Sequence, residues 1–173
     1  MVNKIMFKNA FDGNAESGYQ LGDRYFYGKG VAADRNIARE WYKFAAEKGH
    51  SGARYMYGYL LLAEARGERD LIEGIKYLKK AANRRHTGAM LLLARNYFYG
   101  VGVKKSEKKA FKVWKKASDT GCPEAKYYLG LCYEKGIAVK RDVIKSKSYL
   151  FSALESGYTA SRTLLQSGKP FAA

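Results

Sequence analysis

Apolar residues recur along this chain at the spacing of one helix face. In residues 36–50, Ile37, Ala38, Trp41, Tyr42 and Ala45 line one side of a helix, and in residues 107–118 Ala110, Phe111, Val113, Trp114 and Ala117 do the same. In the second of these helices Lys108, Lys109, Lys112, Lys115 and Lys116 fall mostly on the other face. The pattern also repeats at a fixed distance of 36 residues. Gly100 has counterparts at Gly28 and Gly136, Tyr97 at Tyr25 and Tyr133, Ala117 at Ala45, Ala81 and Ala153, and Gly121 at Gly49 and Gly157. A period of this length predicts stacked copies of one supersecondary unit, each unable to bury its own apolar faces alone. Four copies are expected, at 15–50, 51–86, 87–122 and 123–158. Residues 1–14 align with the second helix of a unit, placing Ile5 on Trp41, Met6 on Tyr42, Ala10 on Ala46 and Gly13 on Gly49. Residues 159–173 read as a final first helix and a tail. The expected tally is nine helices, read as four pairs flanked by two halves.

Within each copy, helix A is expected to open near Ser51, Thr87 or Thr159, whose hydroxyls can accept from free backbone N–H groups, or on Pro123, which suits a first helical turn. A small residue follows (Ala53, Ala89, Ala125), then Gly22, Gly58, Ala94 or Gly130, where a minimal side chain lets helix B approach. Gly28, Gly100 and Gly136 suit left-handed C-terminal positions. Val31, Val103 and Val139 should tuck the turn into the core. Helix B is expected to start at Asp34, Asp70, Ser106 or Asp142, with Asp70 and Glu73 at capping-box spacing. The second copy departs from the others: residues 61–67 replace the glycine turn, which predicts a different A–B connection and a longer A helix.

Composition narrows the class. With 47% hydrophobic and 28% charged residues the chain is globular, and two prolines in 173 residues suit a helical one. Two cysteines are too few for a disulfide framework and are expected as reduced thiols in a cytoplasmic protein. The opening residues have no sustained apolar run and no small-residue cleavage site, so no signal peptide is expected; no apolar stretch reaches the roughly 18 residues of a transmembrane helix.

The run LGDRYFYGKGV, followed by AADRNIAREWYKFAAEKGH, resembles the Sel1-like repeat, a relative of the tetratricopeptide repeat with a slightly longer unit. ARNYFYGVGV with AFKVWKKASDTG, and LGLCYEKGIAV with SKSYLFSALESG, resemble it too. The resemblance implies an all-α fold, an α-α superhelical solenoid of about four helix-turn-helix repeats with half-repeat caps. It further implies a protein–protein scaffold or adaptor, often bacterial. Some members are secreted and carry a disulfide in each repeat; this chain lacks those cysteines.

If helix A lines a concave surface, as in tetratricopeptide solenoids, a groove would gather Tyr19, Asp23, Phe26 and Tyr27, then Tyr55, Tyr59 and Leu62, then Leu91, Arg95, Phe98 and Tyr99, then Tyr127, Leu131 and Glu134. Tyrosines on such a face suit protein binding, because they supply area at low entropic cost. Tyr25, Tyr97 and Tyr133 are instead expected in the core.

Charge adds a second candidate. The chain carries +16, and the third copy holds eight Lys or Arg against two acids. Lys104, Lys105, Lys108, Lys109, Lys112, Lys115 and Lys116 form a basic face, either solvating or suited to an acidic partner. No DNA- or RNA-binding motif accompanies them, which speaks against nucleic acid. His50 and His86 share one repeat position and read as structural rather than as metal ligands. No catalytic constellation, metal site or cofactor is expected, and hence no enzyme. The reading is a module that grips a peptide or protein, as a monomer or weak dimer. The alternatives are an immunity protein that neutralises an acidic toxin, and association of the basic face with RNA or an anionic membrane. At the amino-terminal end, Phe7 and Phe11 occupy outward positions and should either fold back as a cap or form an apolar patch.

Overall fold

The computed structural model describes residues 4–167. Among them are ten helices rather than nine, since four pairs and two single helices make ten: α1 (Lys4–Phe11), α2 (Ala15–Tyr27), α3 (Arg35–Glu47), α4 (Ser51–Ala63), α5 (Glu68–Asn83), α6 (Thr87–Tyr99), α7 (Glu107–Ser118), α8 (Pro123–Lys135), α9 (Val143–Glu155) and α10 (Ala160–Ser167). Two compact units divide between Ala89 and Met90, inside the first turn of α6.

In the first unit α2 pairs with α3 and α4 with α5, α3 packs on α4, and α1 lies on α2. Its core joins Ala38, Tyr42, Ala45 and Ala46 of α3 to Ala53, Met56, Tyr57, Leu60 and Leu61 of α4. The glycines set the spacing. A Cβ on Gly22 would lie 2.5 Å from the ring of Tyr42. Gly58 and Gly74 oppose each other so closely that a Cβ on either would come within 2.9–3.0 Å of the other's carbonyl oxygen. Ile37, expected on the apolar face of α3, stands 40% exposed beside that core.

In the second unit Ala94, Ala110, Trp114, Leu129 and Cys132 make the core, with Phe98, Phe111, Tyr128 and Val139 against it. Cys122 and Cys132 are free and buried. Burial, and after it the Glu107 carboxylate, pushes the Cys132 thiol up to about 12.

The A–B turns follow from local chemistry. Gly28 and Gly136 take left-handed conformations with φ of 69° and 71° and close their helices. The N–H of each following cap residue then donates to a tyrosine carbonyl: Asp34 to Tyr25, Ser106 to Tyr97 and Asp142 to Tyr133, at 2.8, 2.7 and 2.9 Å. Asp34 in turn accepts from Asn36 and Ile37, Ser106 from Lys109 and Asp142 from Lys145. Each such cap contributes about 1 kcal/mol. Tyr25, Tyr97 and Tyr133 are half-buried rather than core. Their rings lie at the core's margin, where Lys109 and Lys145 sit 5.5 and 5.7 Å from the ring centroids of Tyr97 and Tyr133.

Asp70 is not a helix cap. Helix α5 begins a turn earlier, with Gly67 as N-cap and no side-chain cap bond. Asp70 sits at the third helical position and accepts from the Arg66 N–H at 2.9 Å. The missing glycine turn therefore lengthens helix B, to 16 residues, and leaves helix A at 13. Ser51 is likewise not a cap: its hydroxyl is buried and has no hydrogen-bond partner. The residue before it caps α4, as described below.

Candidate functional site

Six tyrosines of the A helices fall into two ranks. In the first rank each ring is half-buried and locked by a neighbour from the end of the same repeat. Tyr19 stacks on His50 at 4.4 Å and Tyr55 on His86 at 4.8 Å, both near-parallel; in the second unit Tyr127 lies against Tyr158 at 5.1 Å. The spacing is 31 residues each time. Gly52 and Gly88 make room, since a Cβ on either would touch the ring of Tyr19 or Tyr55 at 3.3–3.4 Å. Burial raises the hydroxyl pKa of Tyr19, helped by Asp23, and that of Tyr127.

The two histidines are held by a second bond. The Nδ1 of His50 accepts from the Ala53 N–H at 3.0 Å, and that of His86 from Ala89 at 3.2 Å, so each imidazole caps the next helix A. The Nε2 of His50 pairs with Glu16 at 3.1 Å. An accepting Nδ1 must be unprotonated. Burial, then the charge of His50, lowers the pKa of His86 below its ordinary value of 6.5. Folding thus favours neutral His86: its contribution is whole above about pH 6.5 and is lost as pH falls through the lower folded value. Thermal melts from pH 7.5 to 5 should show stability declining, with part of that loss absent from His86→Asn, which caps without titrating. Equal slopes for both proteins would remove His86 from the account.

The second rank is exposed. Tyr27 is 58%, Tyr59 39% and Tyr99 68% exposed. Each leans on a half-buried ring: Tyr27 edge-on to Phe26 at 4.8 Å, Tyr99 edge-on to Phe98 at 5.1 Å, and Tyr59 tilted to Tyr55 at 6.4 Å. Phe26 packs on the first core, and Phe98 lies 5.7 Å from Trp114 in the second. Asp23 is committed inward, accepting from the buried Tyr42 hydroxyl at 2.7 Å. Arg95 is exposed and Leu131 half-buried.

The lysines Lys104, Lys105, Lys108, Lys109, Lys112, Lys115 and Lys116 are all exposed, on α7 and the turn before it. Phe7 and Phe11 fold onto Trp41, edge-on at 6.0 and 5.7 Å, while Phe11 keeps 76% of its surface exposed. Sequence reasoning missed the Tyr–His stacks and the imidazole caps; the recurring 31-residue spacing was the available signal. Among the described residues no helix is long and apolar enough to cross a membrane.

The Sel1 repeat matches this chain four times, at residues 15–50, 51–86, 87–122 and 123–158. The chain is similar to a putative sel1-like repeat-containing protein of Acanthamoeba polyphaga mimivirus, 29% identical over 142 residues, or 82% of this chain. It spans only 26% of that relative's length. Among solved structures it is similar to a protective antigen present in uropathogenic Escherichia coli strains, which displays an SLR fold (28% identity, TM-score 0.88, covering 95% of this chain and 36% of that one). It is also similar to a Sel1 repeat protein from Oxalobacter formigenes (27% identity, TM-score 0.81, covering 89% of this chain and 63% of that one). Helices without strands among the described residues, arranged in four such repeats, make the fold an all-α helical solenoid.

Proposed function

Because the chain belongs to the Sel1 repeat family, whose members mediate protein–protein interactions, we propose that it is a scaffold or adaptor that grips a peptide or protein segment through the tyrosine faces of its A helices. The observation that carries this reading is the second rank. Tyr27, Tyr59 and Tyr99 are exposed aromatics braced by half-buried rings. A braced ring loses little rotamer freedom on binding and can serve as a rigid anchor. In the first unit Phe26 braces Tyr27 and Tyr55 braces Tyr59, while Tyr19 and Asp23 are held on Tyr42. In the second, Phe98 braces Tyr99, and Arg95, Tyr127 and Leu131 complete the face. A cytoplasmic setting fits the two free thiols.

Immobilised protein should retain a partner from lysate of the cells that make it. Tyr27→Ser with Tyr59→Ser, and separately Tyr99→Ser, should reduce that retention at least about tenfold while leaving the melting temperature within a few degrees, since exposed rings contribute little to folding. An unchanged set of retained proteins in both variants would overturn the reading.

A further inference from the structure

We propose that the second unit carries a further docking site, separate from the tyrosine faces, that takes an acidic peptide segment with one aliphatic anchor residue. A cavity of about 540 Å³ opens between α7 and the turn joining α8 to α9. Its size lies within the roughly 300–1,000 Å³ of pockets that hold ligands. Lys108, Lys112, Lys115 and Lys116 rim it, and Asp119 is the only carboxylate lining it. Phe111 and Val139 form a half-buried apolar floor, with the Phe111 ring fixed edge-on to Tyr133 at 5.8 Å.

Three observations point to one kind of occupant. First, the four rim ammonium groups have no ion-pair partner among the described residues, whereas Arg35, Lys105, Arg141 and Lys145 are each paired with a carboxylate. The rim therefore presents uncompensated positive charge. Second, the cations are all lysines. Lysine is a point charge on a flexible stem and suits several loosely placed carboxylates better than the planar, bidentate recognition of phosphate that arginine provides. Third, Ala138 occupies a left-handed conformation, φ 60°, at the turn position where Gly30 and Gly102 stand with φ of 76° and 65°. The turn accepts a strained conformation and gains a methyl group, which lines the cavity. Strain of this kind gathers at ligand clamps.

The apolar floor lies below the lysines, so it fits a protruding side chain better than a flat bilayer. Glutamates or aspartates flanking that side chain would meet the rim. This site does not depend on the tyrosine faces and can be tested apart from them.

The test uses the whole chain and fluorescein-labelled heptapeptides: six glutamates around a central leucine, and the same peptide with serine at the centre. Anisotropy at physiological salt should show the leucine peptide binding at least about fivefold tighter than the serine peptide. Lys112→Glu with Lys115→Glu should weaken it at least about thirtyfold, with an unchanged circular dichroism spectrum. Ala138→Gly should weaken the leucine peptide about fourfold, the worth of one buried methyl, leave the serine peptide unaffected and not lower the melting temperature. The proposal is overturned if neither peptide binds. It is equally overturned if both bind alike and Ala138→Gly changes neither, which would mean diffuse charge attraction. Tighter, lysine-dependent binding to phosphatidylserine vesicles or to oligothymidylate would also overturn it, in favour of a membrane or a nucleic acid.

Discussion

Trp114→Ala is expected to cost about 3–5 kcal/mol of unfolding free energy, the range for deleting a large buried aromatic. Trp114 is 3% exposed, stacks on Tyr128 at 4.9 Å and lies 5.7 Å from Phe98. Ala94 and Ala110 flank it in the core and cannot fill the space it would leave. Its indole N–H, however, is buried with no hydrogen-bond partner. An unsatisfied buried donor costs about 1–3 kcal/mol, so part of the ring's packing gain is already offset. Trp114→Phe, which removes that donor and keeps most of the ring, should therefore cost about 1 kcal/mol or less. Urea unfolding followed by circular dichroism separates the two. Equal losses for both variants would mean that the N–H is satisfied in solution, and a loss under about 1 kcal/mol for the alanine would mean that the site collapses around the hole.

Gly22→Val should cost about 3 kcal/mol, at the upper end for overpacking a core. The added Cβ would stand 2.5 and 2.6 Å from two carbons of the Tyr42 ring. That ring has no accessible surface, and its hydroxyl is tied to Asp23, so it cannot slide away. In a Tyr42→Ala background the same valine should cost less than about 1 kcal/mol, because the obstacle is gone, and the difference is the coupling of the two positions. Additive losses in the double variant would show that the strain lies in the helix backbone and not in the ring.

The repeat was legible because its strongest signals are local and recur. A glycine at the end of helix A in three of the four copies, and an Asp or Ser six positions on, make the same turn three times. The second turn was misread because Asp70 satisfies two local rules at once. It could begin a helix as a cap or, as found, reach back to Arg66 from the third position of a longer one. The two differ by about a turn of backbone bonding, which a cap preference worth about 1 kcal/mol does not decide. The histidine caps were hidden for a related reason. A hydroxyl at Ser51 is the better cap by propensity, but the stack on Tyr19 fixes the His50 ring one residue earlier, and that stack is tertiary.

Which aromatics the A helices carry is plain from the sequence, and how deep each one sits is not. Neighbouring helical residues point about 100° apart, so Phe26 and Phe98 turn inward while Tyr27 and Tyr99 turn out. Asp23 read as a groove carboxylate because nothing local announces the Tyr42 hydroxyl, 19 residues away in sequence. The lysine cavity depends on Ala138 and Val139 lying against α7, a contact between segments that composition cannot show.

The two buried thiols give the second unit a clock of its own. Burial pushes the Cys132 thiol so far up that almost none of it is thiolate at pH 8, and it is shielded from reagent as well. Cys132 can be labelled only when its surroundings open, so its rate, divided by that of a free cysteine, reads the opening equilibrium of this core directly. Both cysteines lie in the same unit, at Cys122 and Cys132, and none in the other. The wild-type chain therefore times the breathing of one unit while remaining silent about its neighbour, with no engineered reporter.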